Sequence, residues 1–214
     1  KTVIANSTFD SNYVEVRTNS GNPAGADIFY GYGSSQDVSM KAYVFNTIIT
    51  GSHRMRGAGE DQGKAFTEDE KRKLFYTHDN DNNVLYLNYS IIEGSEGQSW
   101  QDDNVFDISP VYNNRSSQDY SLSILSPAIG QGTSSYESND APSIDILGNS
   151  RPNPSGSTID IGAYENALSK STAPLPVQGI AGTAKTNSVA LSWSAVKASL
   201  ASSSNAENIK YLIY

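Results

Sequence analysis

Three stretches of this chain align without gaps, and a strand that returns with the same turn behind it leaves few folds open. Asn6-Ser7-Thr8-Phe9-Asp10-Ser11-Asn12, Asn46-Thr47-Ile48-Ile49-Thr50-Gly51-Ser52 and Tyr89-Ser90-Ile91-Ile92-Glu93-Gly94-Ser95 share one pattern at offsets of 40 and 43 residues. Each has a small hydroxyl residue, two apolar or β-branched residues, a polar residue, then small turn formers. Apolar runs precede them: Val3-Ile4, Tyr43-Val44-Phe45 and Val84-Leu85-Tyr86-Leu87. A strand of this kind cannot bury its apolar side alone, whereas stacked copies make a continuous core. The expectation is an all-β chain, a parallel β-helix whose short strands are joined by Gly, Asn and Ser turns. The offsets exceed a single turn of about 20 to 30 residues, so residues 13–42 and 53–83 are expected to protrude as loops. Chance likeness among the strands of a β-sandwich is the competing reading.

Charge and composition narrow the function. The chain of 214 residues has 15 Lys plus Arg against 23 Asp plus Glu, a net charge of -8. Phosphate binding needs a basic surface, so nucleic acid is excluded as a partner. An acidic surface suits a protein exposed to the medium. There is no cysteine, which excludes disulfides and thiolate metal sites. No run approaches the roughly 20 apolar residues of a membrane span. Lys1-Thr2-Val3-Ile4-Ala5 already reads as a strand, which leads to the expectation of further structure upstream.

Residues 104–166 carry a more specific pattern. Asp107-Ile108-Ser109-Pro110-Val111-Tyr112 is followed by Asp119-Tyr120-Ser121-Leu122 and Leu125-Ser126-Pro127-Ala128-Ile129-Gly130-Gln131-Gly132. Asp145-Ile146-Leu147-Gly148-Asn149-Ser150-Arg151 and Ile159-Asp160-Ile161-Gly162-Ala163-Tyr164-Glu165 close it. An open stack of strands exposes unpaired edges, and a Pro- and Gly-rich segment can fold over such an end as a cap. Pro127, Pro142, Pro152 and Pro154 block further ladder pairing. Asp145, Arg151, Asp160 and Glu165 are expected to pin the cap through charge-assisted hydrogen bonds. A catalytic or metal role is the alternative for these carboxylates. In order and spacing this ending resembles the C-terminal rungs and cap of bacterial surface proteins of the pectate-lyase-like, right-handed β-helix superfamily, the choice-of-anchor Q type. The resemblance covers residues 1–168 and implies export and architecture more than activity.

Residues 169–176 read as a linker. Beyond it Ser188-Val189-Ala190-Leu191-Ser192-Trp193 alternates with period two, and Lys210-Tyr211-Leu212-Ile213-Tyr214 follows. Residues 177–214 resemble the first strands of a fibronectin type III domain: Pro176 to Ala181, Val189 to Trp193 and Tyr211 to Tyr214. A whole domain needs about 100 residues in two packed sheets, so further domains of the same chain are expected on both sides.

The stretch from 53 to 83 holds all the candidate ligand residues but Trp100. Both histidines, His53 and His78, lie here with Arg54, Arg56, Lys64, Lys71, Arg72 and Lys73. Thr67-Glu68-Asp69-Glu70 reads as a capping box that starts a short helix. Enzymes of the resembled superfamily cleave uronate polymers by β-elimination, which needs cations for the carboxylate and a base for the α-proton. His53, Arg54, Arg56, Lys73 and His78 are of those types, and Trp100 could stack on a sugar face. Glu60, Asp61, Glu68, Asp69 and Glu70 nearly balance the charge, which favours a solvated helical loop instead. Calcium is the candidate cation, at Asp79 and Asp81 of Asp79-Asn80-Asp81-Asn82-Asn83; a plain turn is the alternative. No other cofactor is implied. Tyr30, Tyr32 and Tyr112 are further candidate sugar-stacking rings, or simply rings packed at strand ends with hydroxyls in water. Asn6, Asn88 and Asn114 head glycosylation-like triplets, with stacking of Asn at turns as the alternative.

Two functions follow. One is a non-catalytic segment of a large secreted or cell-surface protein, acting in adhesion or contact with a polysaccharide or cell-surface glycan. The other is part of a polysaccharide lyase or glycoside hydrolase whose groove lies mostly upstream of Lys1. Neither a nucleophile elbow nor a phosphate-binding loop is present.

Overall fold

The computed structural model describes residues 1–16, 28–30, 40–51, 53–56, 75–77, 83–96, 102–172, 175, 177 and 180–196. The described residues are all-β, with one short 3₁₀ turn at Arg115–Ser117. Strands β1 (Thr2–Ala5), β2 (Thr8–Asp10), β3 (Tyr13–Val16) and β4 (Ile28–Tyr30) form a first set. A second set, β5 (Met40–Phe45), β6 (Ile48–Thr50), β7 (His53–Arg56) and β8 (Phe75–Thr77), repeats it. Next come β9 (Asn83–Asn88), β10 (Ser90–Ile92) and β11 (Val105–Phe106).

Like strands of successive sets pair in parallel. The first sheet runs β1-β5-β9 and the second β2-β6-β10-β11, while β3 pairs with β7 and β4 with β8. Thr8, Phe9 and Asp10 face Ile48, Ile49 and Thr50, and Ile91 and Ile92 face Ile48 and Ile49. These partners keep the offsets of 40 and 43 residues found by gapless alignment. The turns recur as well. Asn6, Asn46 and Tyr89 join the first sheet to the second with φ of 48°, 49° and 45°. Asparagine tolerates this left-handed conformation by bonding locally; the tyrosine in the third copy adopts it too. Asn46 Nδ2 donates to Asn6 Oδ1 at 3.1 Å, so asparagines stack at this corner. Asn88 and Asn114 instead accept local bonds, from the Tyr89 N–H and the Ser116 hydroxyl.

The stretches expected to protrude as loops are corrected in part. Residues 13–16 with 53–56, and 28–30 with 75–77, are paired strands. Phe75, a few residues beyond the expected capping box, begins a strand. The capping box at Thr67–Glu70 lies outside the described residues.

At β6 and β10 the second sheet is buried on both faces, which explains their continuous rather than alternating apolar pairs. On one face Ile49 and Ile92, with Phe9, pack against Val44 and Leu87 of the first sheet, with Ile4 beside them. On the other face Ile48 and Ile91 meet Leu122, Ala128, Ile129 and Ile161. The Pro- and Gly-rich segment therefore covers the side of the second sheet. Ile48 and Ile91 need an apolar cover, and this segment supplies it. Gly162 is obligatory here, because a Cβ at its φ of 108° would collide with the Ile48 side chain.

Within the covering segment, β12 (Tyr112–Asn114) pairs antiparallel with β13 (Asp119–Leu122) across the 3₁₀ turn. β14 (Ser135–Tyr136) and β15 (Asn139–Asp140) form a second small hairpin. After the linker, β16 (Ala181–Lys185) and β17 (Ser188–Ser192) make an antiparallel hairpin. Among the described residues the first strand after the linker is β16, while part of the strand expected from Pro176 to Ala181 lies outside the described residues. A two-residue connection pairs β17 with the residues just before it, and that fixes its partner.

Candidate functional site

The turns that leave the second sheet form a row. Ser11, Gly51 and Gly94 end successive strands with φ of 55°, 64° and 78°. Asp10 and Thr50 are register partners, and Glu93 follows Ile92, the partner of Ile49. The row therefore reads acid, hydroxyl, acid. Thr50 Oγ1 donates to Asp10 Oδ1 at 2.8 Å, and the Ser11 hydroxyl donates to Asp10 Oδ2 at 3.0 Å. Glu93 reaches back to accept the Gly51 N–H at 2.5 Å.

Arg115, at the tip of the β12–β13 hairpin, crosses this row. Its Nη2 lies 2.7 Å from Asp10 Oδ1; the Asp10 side chain is 5% exposed and that of Arg115 46%. A Cβ at position 51 would meet the guanidinium and the Ser11 hydroxyl, so Gly51 leaves the passage Arg115 needs. Burial alone would raise the Asp10 pKa, but the bonds from Arg115, Thr50 and Ser11 outweigh it and hold it below the usual carboxylate range. The bond to Asp10 raises Arg115 further above its ordinary value. Both groups are therefore charged at neutral pH. Neither has a proton to exchange there, so the pair suits ligand hydrogen bonding rather than acid–base catalysis.

Two tyrosines flank the pair. Tyr120 meets Tyr112 edge-on, with centroids 5.4 Å apart and planes at 81°. Tyr112 packs against the Ile48–Ile91 cluster. Its hydroxyl is buried beside Thr50 with no hydrogen-bond partner of ordinary geometry, and burial pushes the phenol up to about 12. The expected wet hydroxyl of Tyr112 is thus corrected: the hairpin that carries it folds onto the sheet. Tyr120 is the ring nearer to solvent. The site so defined is a half-exposed guanidinium, clamped by a buried carboxylate, beside an aromatic ring.

The carboxylates singled out near the C-terminal end lie together in the covering segment. Arg151 Nη1 donates to Glu165 Oε2 at 2.6 Å, with both side chains shielded from solvent. Its Nη2 donates to the Gly162 carbonyl. Asp160 accepts the Gly130 and Asn166 N–H groups, each at 2.7 Å. Asp145 accepts from the Leu147, Asn149 and Glu165 N–H groups. Burial drives Asp160 up to about 7 and Glu165 upward. Asp145 goes the other way, because its hydrogen bonds from Asn149 and the backbone overcome its burial. These groups are spent on backbone donors and on each other, as expected of pins.

Of the other expected site residues no side chain is described. His53, Arg54 and Arg56 occupy β7, opposite Tyr13, Val14 and Val16, and only their backbone is described. Lys73, His78, Trp100 and the calcium candidates Asp79 and Asp81 lie outside the described residues, as do Tyr32 and the rest of the basic stretch. Among the described residues no group of three or more His, Asp or Glu is placed to hold a metal ion. Among them, too, no helix is long and apolar enough to cross a membrane. Sequence reasoning missed Asp10, Thr50, Glu93 and Arg115 as a unit. The first three share one position of the aligned repeat, which was a usable signal; Arg115 had none.

Comparisons with known proteins found no family model, no curated protein and no solved structure that matches this chain.

Proposed function

We propose that residues 1–168 are the last turns and cover of a right-handed parallel β-helix, and that residues 177–214 begin a fibronectin type III-like module. In this reading the chain is a non-catalytic segment of a secreted or cell-surface protein that contacts an acidic polysaccharide. The observation that carries the architecture is the parallel register of like strands at offsets of 40 and 43 residues, with left-handed turns recurring at the same positions. Parallel crossovers are right-handed in nearly all folds, which supplies the hand. The β16–β17 hairpin supports the second module. Val189 and Leu191 remain 63% and 45% exposed on it, an apolar side that a second sheet would cover.

The polysaccharide contact rests on Arg115. Its planar fork suits carboxylates, Asp10 holds it in place, and the adjacent Tyr120 offers a ring to a sugar face. Binding of the full chain to polyuronate and to neutral glucan, measured by calorimetry, tests the reading. Polyuronate is expected to bind and neutral glucan not, with loss of about tenfold or more in affinity for Arg115→Ala and weakening in salt. Equal binding by wild type and Arg115→Ala refutes the site. Release of unsaturated sugar by the chain would assign it to the lyases instead.

A further inference from the structure

We propose that the free edge formed by β1 and β2 is a docking edge for one more parallel turn of the same pattern, carried N-terminal to β1, and that residues 142–148 are its ready-made cover. The inference rests on the β-helix reading above and adds the surface, the register and the side chains involved.

Among the described residues both sheets end at these strands: β1 is terminal in the first and β2 in the second. The Ile48 N–H donates to the Ser7 carbonyl, and the Ser11 N–H donates to the Thr50 carbonyl. Residues 7, 9 and 11 thus turn their backbone groups toward β6. By the alternation of a ladder, those of Thr8 and Asp10 point to the open side. The apolar columns also lose their seal here. Ile92 and Ile49 are fully buried, but Phe9 in the same column is only half-buried; Val44 is fully buried, but Ile4 is not. Val3, on β1, is 43% exposed.

The covering segment runs on past this last strand. A groove of about 470 Å³ lies between Asn6–Phe9 and Pro142, Ile144, Asp145, Ile146 and Arg151. Its far wall is apolar yet uncovered: Ile144, Ile146 and Leu147 are 56%, 66% and 70% exposed. The loop is not loosely held, since Asp145 takes three backbone N–H bonds and the Ile146 N–H donates to the Ala163 carbonyl. Farther along the same sheet, the outer side chains Ile91 and Ile48 are met by Leu122, Ala128, Ile129 and Ile161. At β2 that column ends in Thr8, whose hydroxyl accepts the Ala163 N–H. A strand added beyond Thr8 would bring an outer apolar side chain to Ile144 and Ile146, and an inner one over Phe9. The occupant fitted by both faces is an extended strand with two adjacent apolar residues, the pattern of Ile48-Ile49 and Ile91-Ile92.

The test lengthens the full chain with a second copy of residues 41–83 placed ahead of Lys1. Thr2, Ala42 and Leu85 are register partners, so this insert is one whole repeat and keeps the register. Hydrogen exchange read residue by residue is expected to slow at least about tenfold at the Thr8 and Asp10 amides. Ile49→Asp in the added copy is expected to abolish the slowing. Ile146→Ser, at an exposed position, is expected to reduce it while leaving the unfolding midpoint of the unextended chain unchanged. Unaltered exchange at Thr8 and Asp10 in the extended chain overturns the proposal. So does protection in the unextended chain that grows with protein concentration, which would assign the edge to a second copy. The amides of Ile48 and Ile91 separate the two readings. If they exchange as fast as Thr8 in the unextended chain, the stacked ladder itself fails; if they are protected, only the docking edge is at stake.

Discussion

Arg151→Met removes one member of the buried pair that fastens the covering segment, and its cost can be worked from the contacts. Methionine keeps most of the aliphatic volume, so the packing loss is small. What changes is charge. Glu165 loses its partner at 2.6 Å, in a site where both side chains are shielded. The Gly162 carbonyl loses a donor at 3.0 Å. Breaking a buried pair from one side costs about 3–5 kcal/mol. Glu165 still accepts the Asn153 and Asp160 N–H groups, which favours the lower half of that range at pH 7. The cost should also depend on pH. Burial already raises Glu165, and loss of the cation raises it further in the folded variant. A carboxyl whose folded pKa exceeds its unfolded value loses stability as pH rises from about 4.3 through the folded value. The deficit is thus expected to shrink toward pH 4 and grow toward pH 7. Changing Glu165 to Met as well would not restore the wild-type value, because the buried Asp160 N–H would be orphaned at about 1–3 kcal/mol and the half-buried Asn153 N–H would lose its acceptor. Urea unfolding followed by far-ultraviolet circular dichroism at several pH values measures all of this. A deficit below about 1 kcal/mol at pH 7, or one that does not change with pH, would refute the reasoning.

Three further outcomes are expected. Ile49→Ala, with stacked neighbours on both sides to hold the cavity open, should cost about 3–5 kcal/mol, whereas exposed Val189→Ala should stay within about 0.5 kcal/mol; similar values from chemical unfolding would remove the stacked core. Gly51→Ala should cost about 1–2 kcal/mol for a left-handed alanine plus the displacement of Arg115; only the backbone part should persist in an Arg115→Ala background, so strict additivity of the two would place Arg115 elsewhere. Asp160, with a folded pKa of about 7 against about 3.9 unfolded, contributes most below pH 4 and loses that contribution as pH rises to 7. Asp160→Asn should therefore flatten the fall in stability over that window, and an unchanged slope would contradict the burial assigned to this carboxyl.

The legible and illegible parts of this fold differ for a physical reason. Asn6, Asn46 and Tyr89, with Ile48-Ile49 and Ile91-Ile92 behind the latter two, announced their own register because side chains in a column pack on their equivalents. The pairing of Tyr13–Val16 with His53–Arg56 keeps the same 40-residue offset but leaves no mark in the two sequences. Parallel pairing uses backbone groups, so Tyr-Val-Glu-Val can lie beside His-Arg-Met-Arg with no likeness between them. The pins Asp145, Arg151, Asp160 and Glu165 were legible as a group, since buried charges need partners. That they fasten a cover on the side of the second sheet was not.

From its own order of residues the chain determined that the strands at Phe9, Ile49 and Ile92 stack, that small turn formers follow them and that the charges of the C-terminal segment must be paired. Those are local or periodic properties, and they repeat. Only the tertiary structure decided that Arg115 lies across Gly51 onto Asp10 and that Ile144 and Ile146 flank the open edge at Thr8. Such contacts join segments with no shared period, and only the folding of the covering segment over the second sheet brings them together.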